Sequence, residues 1–116
     1  MNTVSIHPYF KVHPGQLEAF KKLRPEFVTK TATEPKCLYY DFTINGDEVF
    51  CREAYDGAEG LLAHLENVGA LLGEVLKLAA VTRLEVHGPA AELEKLKGPL
   101  ADLKPTWFVY ECGIGR

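Results

Sequence analysis

Residues 36–56 of this 116-residue chain have the sequence KCLYYDFTINGDEVFCREAYD, and this stretch decides the fold. Lys36–Asn45 and Glu48–Tyr55 are rich in aromatic and apolar residues at alternating positions, a pattern typical of β-strands. Asn45 and Gly46 join them, and both residue types tolerate the positive φ that a tight hairpin turn requires. The stretch therefore predicts two neighbouring antiparallel strands.

The segment before this hairpin predicts a strand followed by a helix. A strand is predicted over Thr3–Val12, and a helix begins at Gln16, where the apolar residues change to helical spacing. Pro8 removes a hydrogen-bond donor from the strand, which predicts an edge position or a bulge. Pro25 predicts that the first helix is kinked or restarts, because the proline ring clashes with the preceding turn.

The segment after the hairpin returns to helical spacing. Asp56 is a suitable N-cap, and Glu59 stands where a capping-box partner would stand. One helix and then a second helical segment are predicted from there. The remaining predicted elements are a strand over Val81–Val86, a helix opened by Pro89 and a strand over Trp107–Cys112. The order βαββαβ, followed by a helix and a strand, predicts an α+β ferredoxin-like split βαβ fold with an antiparallel sheet.

Length, composition and charge exclude several classes of protein. A net charge of −3 without a basic stripe argues against nucleic-acid binding. The longest apolar stretch, 68–81, is shorter than the roughly twenty residues that a membrane span needs, so no membrane partner is expected. Three cysteines without a recognisable secretion signal predict reduced thiols and a cytoplasmic protein. Residues 1–116 are interpreted as one domain, with a core over about 3–90 and an extension over 89–113.

The second strand is apolar on both of its faces. One face carries Leu38, Tyr40, Phe42 and Ile44, whereas the other carries Cys37, Tyr39 and Thr43. An antiparallel sheet with helices on one side is expected to be polar on its other side. This departure predicts a homodimer in which two sheets pack face to face, with a pocket for a small-molecule ligand between them. The last strand, after Pro105, could cross to the partner's sheet.

Several short motifs follow one another in a fixed order. They are Val12-His13-Pro14-Gly15, Glu34-Pro35, Cys37-Leu38-Tyr39-Tyr40, Phe50, Glu53, Tyr55-Asp56 and His64. In this order, over roughly residues 4–90, the chain resembles the antibiotic biosynthesis monooxygenase family. The resemblance implies a dimeric α+β barrel and, in some members, a monooxygenase that needs no metal or flavin. Lys36 stands where the family usually has glycine, Gly69 stands where it has a second helical histidine, and the tail from Gly88 has no counterpart in the simplest members.

His64 is the candidate catalytic residue. It borders the apolar stripe of its helix, and imidazole titrates near neutral pH, so it could take a proton from a phenol or a hydroquinone. The alternative is a structural histidine that is hydrogen-bonded to a neighbour such as Glu53.

The candidate substrate-binding residues are Tyr39, Tyr40, Glu53, Arg83 and Trp107. Tyr39 and Tyr40 point to opposite faces of one strand, so one of them is expected to line the interior between the sheets. Arg83 would stabilise a substrate anion if it faced that interior, and would be structural if it paired with a carboxylate. Trp107 either caps the cavity or anchors the last strand.

Patterns for metals and nucleotides are missing from the sequence. The histidines and cysteines show no metal-ligand spacing, and no glycine-rich phosphate or dinucleotide motif occurs. Cys37 and Cys51 are not opposite each other in the predicted hairpin, so we expect no disulfide between them. Two functions remain, both without a cofactor: a monooxygenase-like enzyme acting on a phenolic or quinol-type compound, or a non-catalytic small-ligand-binding or stress-related dimer of the same fold.

Overall fold

The computed structural model describes residues 2–115, which form one mixed sheet and three α-helices. In chain order the elements are β1 (Thr3–Val12), α1 (Leu17–Thr31), β2 (Cys37–Asn45), β3 (Glu48–Asp56), α2 (Gly57–Leu78), β4 (Ala79–Gly88), α3 (Ala90–Lys97), a 3-10 turn (Ala101–Leu103) and β5 (Thr106–Val109). The strand order is β2-β3-β1-β4-β5, in which only the β4–β5 pair of the described strands is parallel. The α+β ferredoxin-like prediction is confirmed.

The β2–β3 hairpin forms as the sequence predicts. Asn45 pairs with Glu48, and Gly46 has a φ of +61°, a left-handed conformation that glycine adopts without strain. Cys37 lies opposite Tyr55, and Cys51 lies opposite Phe42, so the two thiols are not cross-strand neighbours.

Of the two alternatives predicted from Pro8, an edge position is excluded, because β1 is a central strand between β3 and β4. The predicted irregularity is nevertheless present, since the pairing of β1 with β4 shifts in register between Tyr9 and Phe10. A shift beside the proline fits its missing N–H, which cannot continue a regular ladder on that side.

The helices also differ from the prediction in detail. Of the two alternatives predicted from Pro25, the restart does not occur, because α1 continues through this residue, and α2 is one helix of 22 residues instead of two segments. Within residues 2–115, the Asp56 side chain makes no capping hydrogen bond, and Glu59 binds Lys36 at 2.8 Å. The start of α2 is instead capped by Glu92 of α3, whose Oε1 accepts a hydrogen bond from the backbone N–H of Ala58 at 2.9 Å.

All three helices cover one face of the sheet and bury two clusters of apolar side chains. The first lies under α3 and the N-terminal half of α2 and includes Val4, Tyr55, Leu61, Val86, Leu93 and Leu96. The second lies under α1 and the C-terminal half of α2 and includes Phe10, Phe20, Phe27, Val68 and Val75. On α2, His64 lies between Leu61 of the first cluster and Val68 of the second.

Strand β5 pairs with β4 of the same chain, so the predicted crossing to a partner's sheet is not seen in residues 2–115. Trp107 packs against the first apolar cluster and anchors this strand. None of the helices in the described part of the chain has the length and apolar character needed to cross a membrane.

The face of the sheet without helices, which we call the open face, carries a layer of aromatic rings. Tyr9 contacts Phe50 with ring centroids 4.7 Å apart, His7 lies 4.6 Å from His87, and His87 stacks on Phe108 at 4.5 Å. The layer therefore extends from β3 across β1 and β4 to β5.

Candidate functional site

A cavity lies between the helix-covered face of the sheet and helices α1 and α2. Its volume is about 120 Å³, roughly ten times what one water molecule requires. Four phenylalanines form much of its wall, namely Phe10, Phe20, Phe27 and Phe42. The space is therefore large enough for a small organic molecule and mostly apolar.

One part of the wall is polar and begins on β3. Cys51, Glu53 and Tyr55 alternate along this strand, so their side chains all point to the helix-covered face. Glu53 is 5% exposed, and its Oε1 accepts a hydrogen bond from the hydroxyl of Tyr55 at 2.6 Å. A carboxyl group is thus held inside an apolar cavity with a neutral donor as its partner.

His64 on α2 lies between this carboxyl group and a second one. Its Nδ1 is 3.0 Å from Oε2 of Glu34, which lies between α1 and β2, and its Nε2 is 3.5 Å from Oε1 of Glu53. With Glu34 ionised, Nδ1 carries the ring proton and donates it to Glu34 in a hydrogen bond. The lone pair of Nε2 is then free on the side of the ring that faces Glu53.

Asn67, one turn after His64 on α2, holds Glu34 in place. Its Nδ2 donates to Oε2 of Glu34 at 2.8 Å and to the backbone carbonyl of Lys30 at 2.9 Å. The Glu34 side chain is 8% exposed. The carboxylate that the Asn67 amide holds in place sets both the orientation and the tautomer of the neighbouring imidazole.

Burial moves the proton affinities of the two facing groups in opposite directions. It lowers the pKa of His64, although the nearby Glu34 carboxylate partly opposes this effect. It raises the pKa of Glu53 to about 7, an effect that the hydrogen bond from Tyr55 reduces. Near neutral pH, His64 is therefore an uncharged base, and a large fraction of Glu53 is a protonated acid.

Tyr40 and Cys51 complete the polar part of the wall. Tyr40 lies opposite Glu53 on β2, and its ring centroid is 5.1 Å from that of His64. Burial, reinforced by the nearby Glu53 carboxyl group, raises the pKa of both Tyr40 and Cys51. Both groups stay protonated at neutral pH and so have a hydrogen to donate to a ligand.

The structure separates the predicted site residues into three groups. His64, Glu53 and Tyr40 line the cavity, and the predicted alternative partner of His64, Glu53, is indeed its neighbour. Tyr39 lies on the open face under the guanidinium of Arg52, at 4.2 Å from the ring centroid. Arg83 also lies on the open face, where it pairs with Glu85. Trp107 packs in the first apolar cluster.

The place of the cavity differs from the predicted one. It lies between the sheet and its own helices, where side chains of α1 and α2 face side chains of β1 to β4, whereas the prediction put it between two sheets. Sequence reasoning did not select Glu34, Tyr55 or Cys51. The alternation that places Cys51 and Tyr55 beside Glu53 was a usable signal, whereas nothing local indicated that Glu34 returns to His64 thirty residues later.

A metal centre has no support among residues 2–115, where no group of three or more His, Cys, Asp and Glu side chains is arranged to hold an ion.

Comparison with solved structures identifies proteins with a similar overall fold. MupZ from Pseudomonas fluorescens is 47% identical, aligns over 100% of this chain and 96% of its own, and superimposes with a TM-score of 0.95. A candidate antibiotic biosynthesis monooxygenase from Caulobacter crescentus is 22% identical over 73% of this chain and 87% of its own, with a TM-score of 0.66. A similar protein from Nitrosomonas europaea is 19% identical over 77% and 91%, with a TM-score of 0.68.

The two more distant likenesses establish the fold alone. No protein-family model matches the chain, and no curated protein sequence does so either.

Proposed function

The chain belongs to the family of MupZ and has the fold of the antibiotic biosynthesis monooxygenases. From this premise we propose that it is an acid–base enzyme acting on an apolar small molecule. One observation carries the proposal: the imidazole of His64 lies between the Glu34 carboxylate and the Glu53 carboxyl group in the wall of an apolar cavity. Groups whose surroundings separate their proton affinities in this way are typical of acid–base pairs.

His64 is the base in this proposal. Its Nε2 takes a proton from the substrate, and the Glu34 carboxylate stabilises the imidazolium that forms. Glu53 is the acid and donates its proton to a second atom of the substrate. The aromatic wall excludes water, which strengthens both interactions and holds the substrate in one orientation.

One reaction that this machinery would support is the oxidation of a phenol or quinol by molecular oxygen. His64 removes a proton, and the electron-rich anion reacts with O2. In the overall reaction a ring C–H and the phenolic O–H each lose their hydrogen, the ring carbon gains one oxygen atom as a carbonyl, and the second oxygen atom leaves with the two hydrogens as water, so that the phenol becomes a quinone. Because the substrate supplies all the electrons, this reaction needs neither a metal nor a flavin or nicotinamide. The names of the Caulobacter and Nitrosomonas proteins support this version by analogy of fold.

A redox-neutral reaction, such as an isomerisation or an intramolecular addition, is the second version. Here a proton leaves one atom for His64 while another atom receives the proton of Glu53, so no electrons are gained or lost. The protonated Glu53 favours this version, because oxidation by O2 needs only the base. Burial beside a base keeps the Glu53 carboxyl group protonated, so it can act as the acid in a reaction that requires both an acid and a base.

The base is tested with nitrobenzisoxazole, an apolar probe that requires neither oxygen nor a cofactor. Removal of its ring C–H proton breaks the N–O bond and releases a coloured nitrophenolate that carries a nitrile. We expect chelator-treated protein to accelerate this cleavage, and His64→Ala to lower the rate by about 100-fold, the lower end of what general-base catalysis contributes. His87→Ala on the open face is the matched control and should keep the rate.

Oxygen uptake distinguishes the two versions. Hydroquinones and polycyclic phenols are supplied to the chelator-treated protein under air, with His64→Ala as the control. Uptake that depends on His64 selects the oxidation, whereas cleavage of the probe without any uptake selects the redox-neutral reaction. Activity that appears only after iron, haem or flavin is added contradicts the cofactor-independent mechanism. Equal rates for the wild type and His64→Ala in both assays leave the non-catalytic ligand-binding function.

A further inference from the structure

The cavity is polar in its depth and apolar at its mouth, the reverse of an ordinary surface pocket. Glu53 and His64 are 5% and 3% exposed, whereas three aliphatic lining residues are largely exposed: Leu76 at 47%, Val81 at 41% and Leu103 at 45%. Scattered single leucines on a surface are normal, but these three belong to one cavity. A ligand that satisfies both ends has its polar group inside and an apolar part reaching outward.

The wall is also long in one direction. Its α2 residues run from His64 through Val68 and Leu72 to Leu76, which is about 18 Å along a helix axis. The described lining residues beyond the polar cluster are all aliphatic, aromatic or proline side chains. A compact head group at His64 would leave most of this wall uncovered.

We propose that the substrate is an amphiphile with a compact oxygen-bearing head group and an extended apolar tail, and that Leu103 is a specificity-determining residue for the tail. The inference rests on the proposed function only in assigning the head group to His64 and Glu53. The occupant of the exposed mouth is the substrate's own tail, because the mouth is continuous with the cavity that holds the head group.

Leu103 is suited to this role by its place in the chain. It ends the 3-10 turn, and the next residue, Lys104, has a φ of +49°, a turn that leads the chain into β5. The helices and sheet provide the rest of the lining, so Leu103 is the lining residue contributed by the segment after α3 among those described. Its side chain contributes to the mouth without belonging to either buried apolar cluster.

The test uses a series of para-alkylphenols as probes: p-cresol, p-propylphenol, p-pentylphenol and p-heptylphenol. Their dissociation constants are measured by titration calorimetry for the wild-type protein. Each added methylene that is buried in the mouth should tighten binding by up to about fourfold. The head group and the tail are then tested separately with variants.

Two kinds of variant should act differently on the series. His64→Ala should weaken all four probes by a similar factor, because each carries the same phenol group. Leu103→Asp should leave the affinity for p-cresol unchanged and remove most of the gain from the longer chains, and Leu76→Asp should repeat this result from α2. Leu38→Asp is the control, since Leu38 is 54% exposed but does not line this cavity.

The outcomes separate the two proposals. The amphiphile proposal is overturned if the affinity does not depend on chain length. It is also overturned if Leu103→Asp and Leu76→Asp both retain the gain in affinity with chain length. Binding of none of the probes overturns it as well. The two proposals can also give different answers. If both mouth variants remove the chain-length gain, the amphiphile proposal is supported. If His64→Ala cleaves nitrobenzisoxazole as fast as the wild type in that same case, the acid–base function is rejected.

Discussion

The hydroxyl group of Tyr55 donates a hydrogen bond to Oε1 of Glu53 across 2.6 Å, and both residues lie on the same face of β3. Both side chains are buried, so neither is solvated by bulk water. The bond stabilises the ionised form of Glu53 and lowers its pKa, against the larger effect of burial. Tyr55 therefore adjusts how much of Glu53 is acid at neutral pH.

Replacing Tyr55 with phenylalanine tests this relationship. Tyr55→Phe should raise the pKa of Glu53 above about 7, because the donor to the carboxylate is lost and desolvation remains. It should also lower the free energy of unfolding by about 1–3 kcal/mol, the usual cost of an unpaired buried partner. Carbon NMR of labelled glutamate follows the titration. Tyr39→Phe on the open face is the control, and an unchanged Glu53 titration in Tyr55→Phe would show that the hydrogen bond has no such effect.

The raised pKa of Glu53 predicts a specific dependence of stability on pH. The folded protein keeps a proton on Glu53 that the unfolded chain loses above its ordinary pKa of 4.5, so stability falls as pH rises from about 4.5 to 7. Glu53→Gln removes this contribution. As pH rises through this window, the wild type should lose unfolding free energy relative to Glu53→Gln, by an amount on the order of 3 kcal/mol.

Urea unfolding at several pH values measures this difference, and Glu66→Gln, an exposed substitution on α2, is the control. A constant difference between Glu53→Gln and the wild type across the window would mean that Glu53 titrates normally in the folded protein.

The charge of Glu34, rather than its hydrogen bond alone, should set the strength of the base. Glu34→Gln keeps an acceptor for Nδ1 of His64 but removes the negative charge that opposes the lowering of the His64 pKa by burial. We expect the pKa of His64 to fall further and the cleavage of nitrobenzisoxazole to slow about tenfold. Nitrogen NMR of the imidazole reports the pKa and the tautomer. Asn67→Ala keeps the charge and should have the smaller effect; the opposite ranking would make positioning the main role of this contact.

Much of the fold was readable from the sequence because it depends on local patterns. The strand alternation and the Asn45-Gly46 turn placed the hairpin, and β1 was predicted with the bounds that the structure has. Pro8 indicated an irregularity, which the register shift between β1 and β4 confirms, but a local proline rule cannot show whether a strand has neighbours on both sides. Asp56 misled the prediction of the helix cap, because the capping carboxylate of α2 belongs to Glu92, which only tertiary structure brings there.

The site was readable only where it follows one element. His64 and Glu53 were selected because helical spacing and strand alternation locate them. Glu34 was not selected, because its contact with His64 depends on how α1 and β2 pack against α2. The face that bears the cavity could not be predicted either, because the second strand is apolar on both sides and only the position of the helices decides between them.

Two glycines of α2 should respond to alanine in opposite ways. A Cβ at Gly60 would lie 3.0 Å from the Cβ atoms of both Lys36 and Tyr55, which are fixed by the hairpin. A Cβ at Gly69 would meet nothing within 4 Å. We expect Gly60→Ala to destabilise the protein by about 1–3 kcal/mol through this overpacking. Gly69→Ala should stabilise it by up to about 1 kcal/mol, because alanine favours a helix interior. Thermal unfolding of the pair measures both, and stabilisation by Gly60→Ala would show that β2 can move away from α2.

The aromatic layer of the open face leads to a prediction about assembly. Tyr9 and Phe50 are in contact there, and His7, His87 and Phe108 continue the layer across the sheet without a helix to cover it. We predict that two copies pack through this face as a homodimer, with a total buried area above roughly 1,000 Å². Phe50→Asp should dissociate the dimer, because the carboxylate introduced in each copy would lose its hydration within an apolar interface.

Sedimentation at micromolar concentration measures the assembly, and circular dichroism checks that the variant remains folded. Leu38→Asp, an exposed leucine outside the aromatic layer, is the control and should remain dimeric. Deletion of residues 106–116 removes Phe108 from the layer and Trp107 from the core, so it should weaken both the dimer and the fold. A wild-type protein that sediments only as a monomer would overturn the prediction. The open face would then lack a second copy as its cover, whereas the cavity and its acid–base pair, which lie within one chain, would be unaffected.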